Sequence, residues 1–287
     1  MAIVYDKLLN WHFDEISHAY RWQDSSLYAL STGFGTNPLS RQQLNYIYEP
    51  WIQAVPTMAT VIANPGFWVR HPDTGIDWAN SLHGEQEIVL HKPLPAEATM
   101  TGRMKVESII DRGEGKGAIL TTRNDLHDSA DDTLVASVYA TAFMRTNGGF
   151  GGPTGPRRPV VELPERAPDI SVDLPTLPQA ALLYRLNGDY NPLHIEPEVA
   201  TGAGFKEPIL HGLCTYGVAC HALLSTVCDY DAAAVKSMRG RFSAPVYPGE
   251  TIRTDIWHDG PNRVNFRCLA VERNLVVLTG GQLELRQ

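Results

Sequence analysis

Apolar and polar residues alternate over several short stretches of this chain, as in Val264-Asn265-Phe266-Arg267, which is the pattern of half-buried antiparallel strands. β-rich runs fall near Glu87–Leu90, Thr99–Ile110, Ala118–Leu126 and Thr133–Arg145. A second set falls near Gly240–Phe242, Thr251–Trp257, Val264–Val271 and Leu275–Leu285. Each set follows an apolar stretch that reads as helical: Trp51 to Ala63 in the first half, Leu213 to Val227 in the second. One helix followed by a run of antiparallel strands, twice over, predicts two α+β repeats.

Short echoes in the same order support a duplication. Tyr28-Ala29-Leu30 with Asn37-Pro38-Leu39 resembles Tyr184-Arg185-Leu186 with Asn191-Pro192-Leu193. Lys92-Pro93-Leu94-Pro95-Ala96-Glu97 resembles Ala244-Pro245-Val246-Tyr247-Pro248-Gly249-Glu250. Between the halves, residues 147–179 carry seven prolines and five glycines. Proline removes backbone donors and glycine adds unfolded-state entropy, so the run reads as a connector. The expected organisation is an N-terminal repeat over 1–146, a connector over 147–179 and a C-terminal repeat over 180–287.

Composition narrows the function classes. With 43% hydrophobic and 20% charged residues over 287 positions, the chain is of globular type and long enough for a sizeable core. A net charge of −8 argues against nucleic acid as a partner. The most apolar long stretch, Ile209 to Val227, contains two histidines, two threonines and a serine. It reads as a buried helix rather than a membrane span. With no signal-like N-terminus, the expectation is a cytoplasmic protein with no membrane partner. The four cysteines show no C-x-x-C spacing and the ten histidines no H-E-x-x-H set, so no metal is expected.

The most informative segment is YRLNGDYNPLHIEPEVATGAGFKEPILHGLCT, residues 184–215. Asp189 and His194 stand five apart with Asn191-Pro192 between them, a pairing that belongs on a turn. A carboxylate and an imidazole on one turn can share a water and move protons between carbon and oxygen. Taken singly, Asp-x-Asn-Pro is an ordinary structural turn and His194 a hydrogen-bonded core histidine. Eighteen residues on, Gly212 opens the apolar helix. First-turn N–H groups there lack intrahelical partners, and a glycine admits a ligand oxygen, which suits an oxyanion hole. Gly212 alone would read as a helix cap.

Together these residues resemble the signature of type-2, (R)-specific enoyl-CoA hydratases of the MaoC-like dehydratase family. The chain is also similar to the hydratase portion of the peroxisomal multifunctional β-oxidation enzyme. The resemblance covers nearly the whole chain. It includes YALSTGFG near residue 28, AVPTMATVIANP at 54–65, LHGEQEIVLHKPLP at 82–95, GGFGG at 148–152 and RFSAPVYPGETI at 241–252. It implies a double hot-dog fold, each repeat a central helix wrapped by an antiparallel sheet. The second repeat keeps the catalytic motif, and the first, with Gly33-Phe34-Gly35-Thr36-Asn37-Pro38-Leu39-Ser40 in its place, opens space for an acyl tail.

The resemblance further implies reversible hydration of trans-2-enoyl-CoA to (3R)-3-hydroxyacyl-CoA in fatty-acid or steroid side-chain β-oxidation. Asp189 and His194 would activate water, Asn191 support their turn and Gly212 N–H polarise the thioester carbonyl. His83, Gly84, Arg112 and Phe242 match positions that contact the CoA ester. Arg112 also suits a solvated hairpin turn, and Phe242 a core strand position. No cofactor is implied beyond CoA as part of the substrate, and a homodimer is expected because dimers are usual in the family. A hot-dog acyl-CoA thioesterase, a dehydratase of acyl-carrier-protein substrates and a non-catalytic acyl-CoA-binding scaffold remain as alternatives.

Overall fold

A computed structural model describes residues 2–155, 159 and 161–286; positions 156–158 and 160 of the connector lie outside the described residues. Among the described residues ten strands form one antiparallel sheet: β1 (Ile16–Tyr20), β2 (Ser81–Leu90), β3 (Ala98–Asp111), β4 (Ala118–Asp128), β5 (Leu134–Met144), β6 (Ile170–Pro175), β7 (Val235–Phe242), β8 (Thr251–His258), β9 (Arg263–Ala270) and β10 (Leu275–Leu285). Their spatial order is β1-β3-β4-β5-β2-β7-β10-β9-β8-β6. Read from either end, this is the same five-strand arrangement, so the duplication is visible in topology. The halves meet where β2 pairs with β7, from Glu85 opposite Arg241 to Val89 opposite Ser237.

The sheet wraps a central helix, Gly212–Thr226, buried without interruption from Cys214 to Leu224. A helix apolar on all sides belongs in a core, and its neighbours Tyr28, Tyr184 and Phe266 are fully enclosed. Each such ring stabilises the fold by roughly 2 kcal/mol through the area it removes from water. Tyr28 and Tyr184, the echoed tyrosines, lie 5.9 Å apart between ring centroids. The turn that follows each is also repeated. Asn37 Oδ1 accepts from Leu39 N–H at 3.1 Å, and Asn191 Oδ1 accepts from Leu193 N–H at 3.2 Å.

Two expectations are corrected. The stretch Trp51 to Ala63 is not an α-helix: it holds two short 3-10 turns, Glu49–Trp51 and Pro56–Thr60. Pro56 lacks an N–H to continue a helix, the β-branched Val55, Thr57, Thr60 and Val61 crowd one, and Ala63 leaves at a positive φ of 46°. The segment is still buried under the first repeat's strands, so it fills the place of the central helix with less bulk. The connector, for its part, is not without structure. Its residues Ile170–Pro175 form β6 against β8, with Ile170, Val172 and Leu174 turned inward. As an edge strand it tolerates a terminal proline. Strand β1, its symmetry mate, also goes unseen in the apolar pattern because only five residues define it.

Close packing around the central helix depends on Gly217. A Cβ there would lie 2.4 Å from the Cγ2 of Thr32, whose hydroxyl is tied to the carbonyls of Tyr28 and Ala29 and cannot yield easily. Gly217→Val should therefore destabilise the protein by about 1–3 kcal/mol through overpacking, read as a lower urea midpoint at unchanged m-value.

Candidate active site

A cleft of about 1770 Å³ runs between the repeats, walled by β2 to β5 on one side and by the 189–194 turn, the entry to the central helix and β7 on the other. Asp189, Asn191, His194, Gly212, His83, Gly84, Arg112 and Phe242 all line it.

The turn is built by local hydrogen bonds. Gly188 takes a left-handed φ of 109° that closes the preceding 3-10 turn. Asp189 Oδ1 then accepts from Asn191 N–H at 3.2 Å, Asn191 Oδ1 from Leu193 N–H, and Pro192 starts a 3-10 turn that ends on His194. Two successive side-chain-to-backbone bonds hold the carboxylate and the imidazole on one side of the turn. His194 Nδ1 lies 2.8 Å from the carbonyl of Ile209. A carbonyl only accepts, so Nδ1 carries the hydrogen and Nε2 offers its lone pair. Burial holds the His194 imidazole below its ordinary value of 6.5, against the opposing pull of the Ile209 bond and the Asp189 charge.

His211, just before Gly212, connects these groups, and the sequence reading gave it no role. Its Nε2 donates to the Asp189 backbone carbonyl at 3.2 Å, and its ring lies 3.8 Å from that of His194, centroid to centroid. Burial, with the neighbouring His194 adding to it, pushes the His211 imidazole down to about 4. Both rings are therefore neutral near pH 7. The signal available beforehand was the dipeptide His211-Gly212 at the start of a helix whose N-terminus faces the motif.

Gly212 opens the helix in contact with Phe242: a Cβ at 212 would stand 3.3 Å from the Phe242 ring. On the opposite wall, a register shift between His83 and Glu85 makes a bulge at Gly84. A bulge re-aims the neighbouring side chain, and the His83 ring packs at 4.9 Å against Phe242. His83 opens onto the cleft while protein surrounds it, and this partial desolvation lowers its imidazole below the ordinary value. Phe242 is thus both a packing residue and part of the wall. Arg112 stands farther along, in the turn after β3, its guanidinium 5.4 Å from the Phe143 ring centroid.

Asp189, His194 and His211 have potential ligand atoms within 4.8 Å of one another, a donor set that could in composition hold a metal. His194 Nδ1 is committed to Ile209 and His211 Nε2 to the Asp189 carbonyl, which leaves one nitrogen on each ring, that of His211 buried. The arrangement suits a water molecule held by Asp189 and by His194 Nε2, with the helix N-terminus nearby for an oxyanion.

Residues 18–146 match the family model for the MFE-2 hydratase 2 N-terminal domain, and residues 159–280 that for the MaoC like domain. The chain is 44% identical to 3-hydroxyacyl-thioester dehydratase Y of Mycobacterium tuberculosis, over 86% of each protein. It is 37% identical to Enoyl-CoA hydratase ChsH3 of the same organism, over 99% of each. Among solved structures, a MaoC-like dehydratase from Phytophthora capsici superposes with a TM-score of 0.86 at 37% identity, over 98% of each chain. Fold, motif and similarity over the full length agree: this chain belongs to the MaoC-like hydratase 2 family.

Proposed function

We propose that this protein adds water to trans-2-enoyl-CoA thioesters to give (3R)-3-hydroxyacyl-CoA, and catalyses the reverse dehydration, as a step of β-oxidation. The observation that carries the reading is the shared turn of Asp189 and His194, with a free Nε2 lone pair facing a cleft that Gly212 also lines. Relatives named as enoyl-CoA hydratase and 3-hydroxyacyl-thioester dehydratase describe the two directions of one equilibrium.

The thioester carbonyl accepts from Gly212 N–H, which favours enolate character as C3 is attacked. One water, held between Asp189 and His194, gives its oxygen to C3 and one proton to the pair. The pair returns a proton to C2, so the elements of one water are added and none is left over. The two groups work as a coupled unit. Asn191 keeps their turn in shape, while His83, Gly84 and Phe242 form the wall opposite. CoA enters as part of the substrate and no other group takes part. We extend the proposal to a cytoplasmic homodimer, from the habit of the family; among the described residues no helix is long and apolar enough to cross a membrane.

Incubation with a medium-chain trans-2-enoyl-CoA, without NAD, tests the reading. Loss of the conjugated double bond with formation of the (3R) alcohol is expected. Release of free thiol would instead indicate a thioesterase, and binding without turnover a scaffold. Asp189→Asn should keep the fold and lower kcat by about 10²–10⁴; survival of activity within a few-fold would remove Asp189 from the mechanism. The pH–rate profile carries a further expectation. His194 must be neutral to accept a proton and its burial lowers its pKa, so kcat/KM should fall on the acid side with a midpoint below 6.5. A midpoint above 6.5 would contradict this assignment.

A further inference from the structure

Most polar side chains of the central helix are satisfied within the protein. Tyr216 Oη donates to the Met238 carbonyl at 2.6 Å and Cys214 Sγ to the Ser31 carbonyl at 3.4 Å. The hydroxyls of Ser225 and Thr226 both return to the Ala222 carbonyl, at 2.9 and 2.7 Å. His221 is unpaired but sealed in the core. Thr215 differs from all of these. It is 3% exposed and yet lines the cleft, and among the described residues its hydroxyl has no hydrogen-bond partner. A helical threonine can return its hydroxyl to a carbonyl three or four residues back, as Thr226 does. A hydroxyl held so nearly out of water without a partner is costly to keep.

Its place on the helix shows what would satisfy it. Gly212 and Thr215 are three residues apart on one helix face, where Cβ positions are about 5–6 Å from one another. A helical side chain leans toward the N-terminus and covers the turn before its own Cα. Thr215 therefore covers the turn that Gly212 opens, and Gly212 has no side chain to stand between the two. The Gly212 N–H is itself without a backbone partner. Two hydrogen bonds of about 2.9 Å each, meeting at one oxygen atom, span such a separation. The surroundings are apolar: Leu210 and Leu213 line the cleft on either side of Gly212 in the chain, and the Phe242 ring lies 3.3 Å from where a Gly212 Cβ would stand. A hydrogen bond is stronger in such a place than in water.

We propose that the Thr215 hydroxyl is a second oxyanion donor, giving its hydrogen bond to the thioester carbonyl oxygen together with Gly212 N–H. The inference rests on the enoyl-thioester reading, which supplies that carbonyl. Negative charge gathers on the oxygen as C3 is attacked, so a donor placed there stabilises the transition state more than the bound substrate. No proton changes hands at Thr215; the protons of the added water pass through Asp189 and His194.

The test is a pair of substitutions. Thr215→Val keeps the branched shape and removes the hydroxyl, whereas Thr215→Ser keeps the hydroxyl. With a trans-2-enoyl-CoA, Thr215→Val should lower kcat by about 10² and leave KM within a few-fold, and Thr215→Ser should stay within a few-fold of the unaltered protein. Equal losses in both variants would point to packing, and an unchanged kcat in Thr215→Val to no role; either overturns the proposal. Thr215→Val should melt no lower than the unaltered protein, since no protein group loses a partner. A clear fall would show the hydroxyl bound within the protein and would also overturn it. The second readout is the ultraviolet absorption of bound trans,trans-2,4-hexadienoyl-CoA, which moves to longer wavelength as its carbonyl is polarised, recorded with Asp189→Asn to slow turnover. The shift should shrink when Thr215→Val is added and persist with Thr215→Ser. If the unaltered protein hydrates no enoyl-CoA but the bound ester shows a Thr215-dependent shift, the hydratase reading falls and the donor stands. If hydration proceeds with neither kcat nor the shift depending on Thr215, the donor falls and the hydratase reading stands. If the ester is not bound at all, both fall.

Discussion

The pairing of β2 with β7 is the constraint on which the site depends. It joins two five-strand units into one sheet and, by fixing Glu85 opposite Arg241, sets the height of His83 against Phe242 and Gly212. A slip of one residue would turn His83 to the other face, because side chains alternate along a strand. The pairing is held from both sides. Ile88 and Met238, directly opposite, are fully buried. Arg241 Nε donates to Glu85 Oε1 at 2.9 Å on the other face. The apolar pair supplies most of the stability, since a partly exposed ion pair is worth about 0–1 kcal/mol. The ion pair disfavours alternative registers, in which Glu85 would lose its partner.

Duplication followed by divergence explains the asymmetry across that seam. The two turns keep the same asparagine bond, but Gly35 stands where the second repeat has Asp189, and Ser40 where it has His194. In the second repeat His194, which lines the cleft, packs at 3.8 Å on the buried ring of His211. At the first repeat's turn, Phe34 stacks at 3.8 Å on His221 of the central helix, and both are sealed in the core. His221, whose ring nitrogens make no hydrogen bond, is pushed down to about 4 by burial and stays neutral. Similar aromatic contacts thus lie wholly in the core beside one turn and at the edge of the cleft beside the other. What differs is that His194 lines the cleft.

Much of this was legible in the sequence, for identifiable reasons. Strands β3, β4, β8, β9 and β10 carry long alternations bounded by turn residues, and the helix from Gly212 is mostly apolar and free of charged residues; both signals survive without an alignment. The Asp189-to-His194 spacing was legible because a turn of that length leaves few conformations open to its side chains. The stretch Trp51 to Ala63 misled because apolar content does not distinguish an α-helix from buried 3-10 turns; Pro56 was the clue. Strand β6 was hidden in a proline-rich run because edge strands accept prolines that inner strands do not. The bulge at Gly84, the His211 contacts and the Asp111 ties are tertiary: each joins segments with no sequence relation, such as Asp111 with Gly149 and Gly151.

Charge explains why the turn from Asp189 to His194 is built around neutral rings. A cationic imidazole beside Asp189 would form an ion pair and present a donor, not a lone pair, to the water. Burial acts against that outcome on both rings, and a second positive charge next to the first would be more costly still. Burial thus holds His194 down and burial with the neighbouring His194 holds His211 down, while Ile209 and the Asp189 carbonyl fix which nitrogen of each carries its hydrogen. His194 is left with one unprotonated nitrogen, directed to the cleft. The fold thereby sets the protonation state of this turn before any ligand arrives, which is the preorganisation that the proposed acid–base role requires.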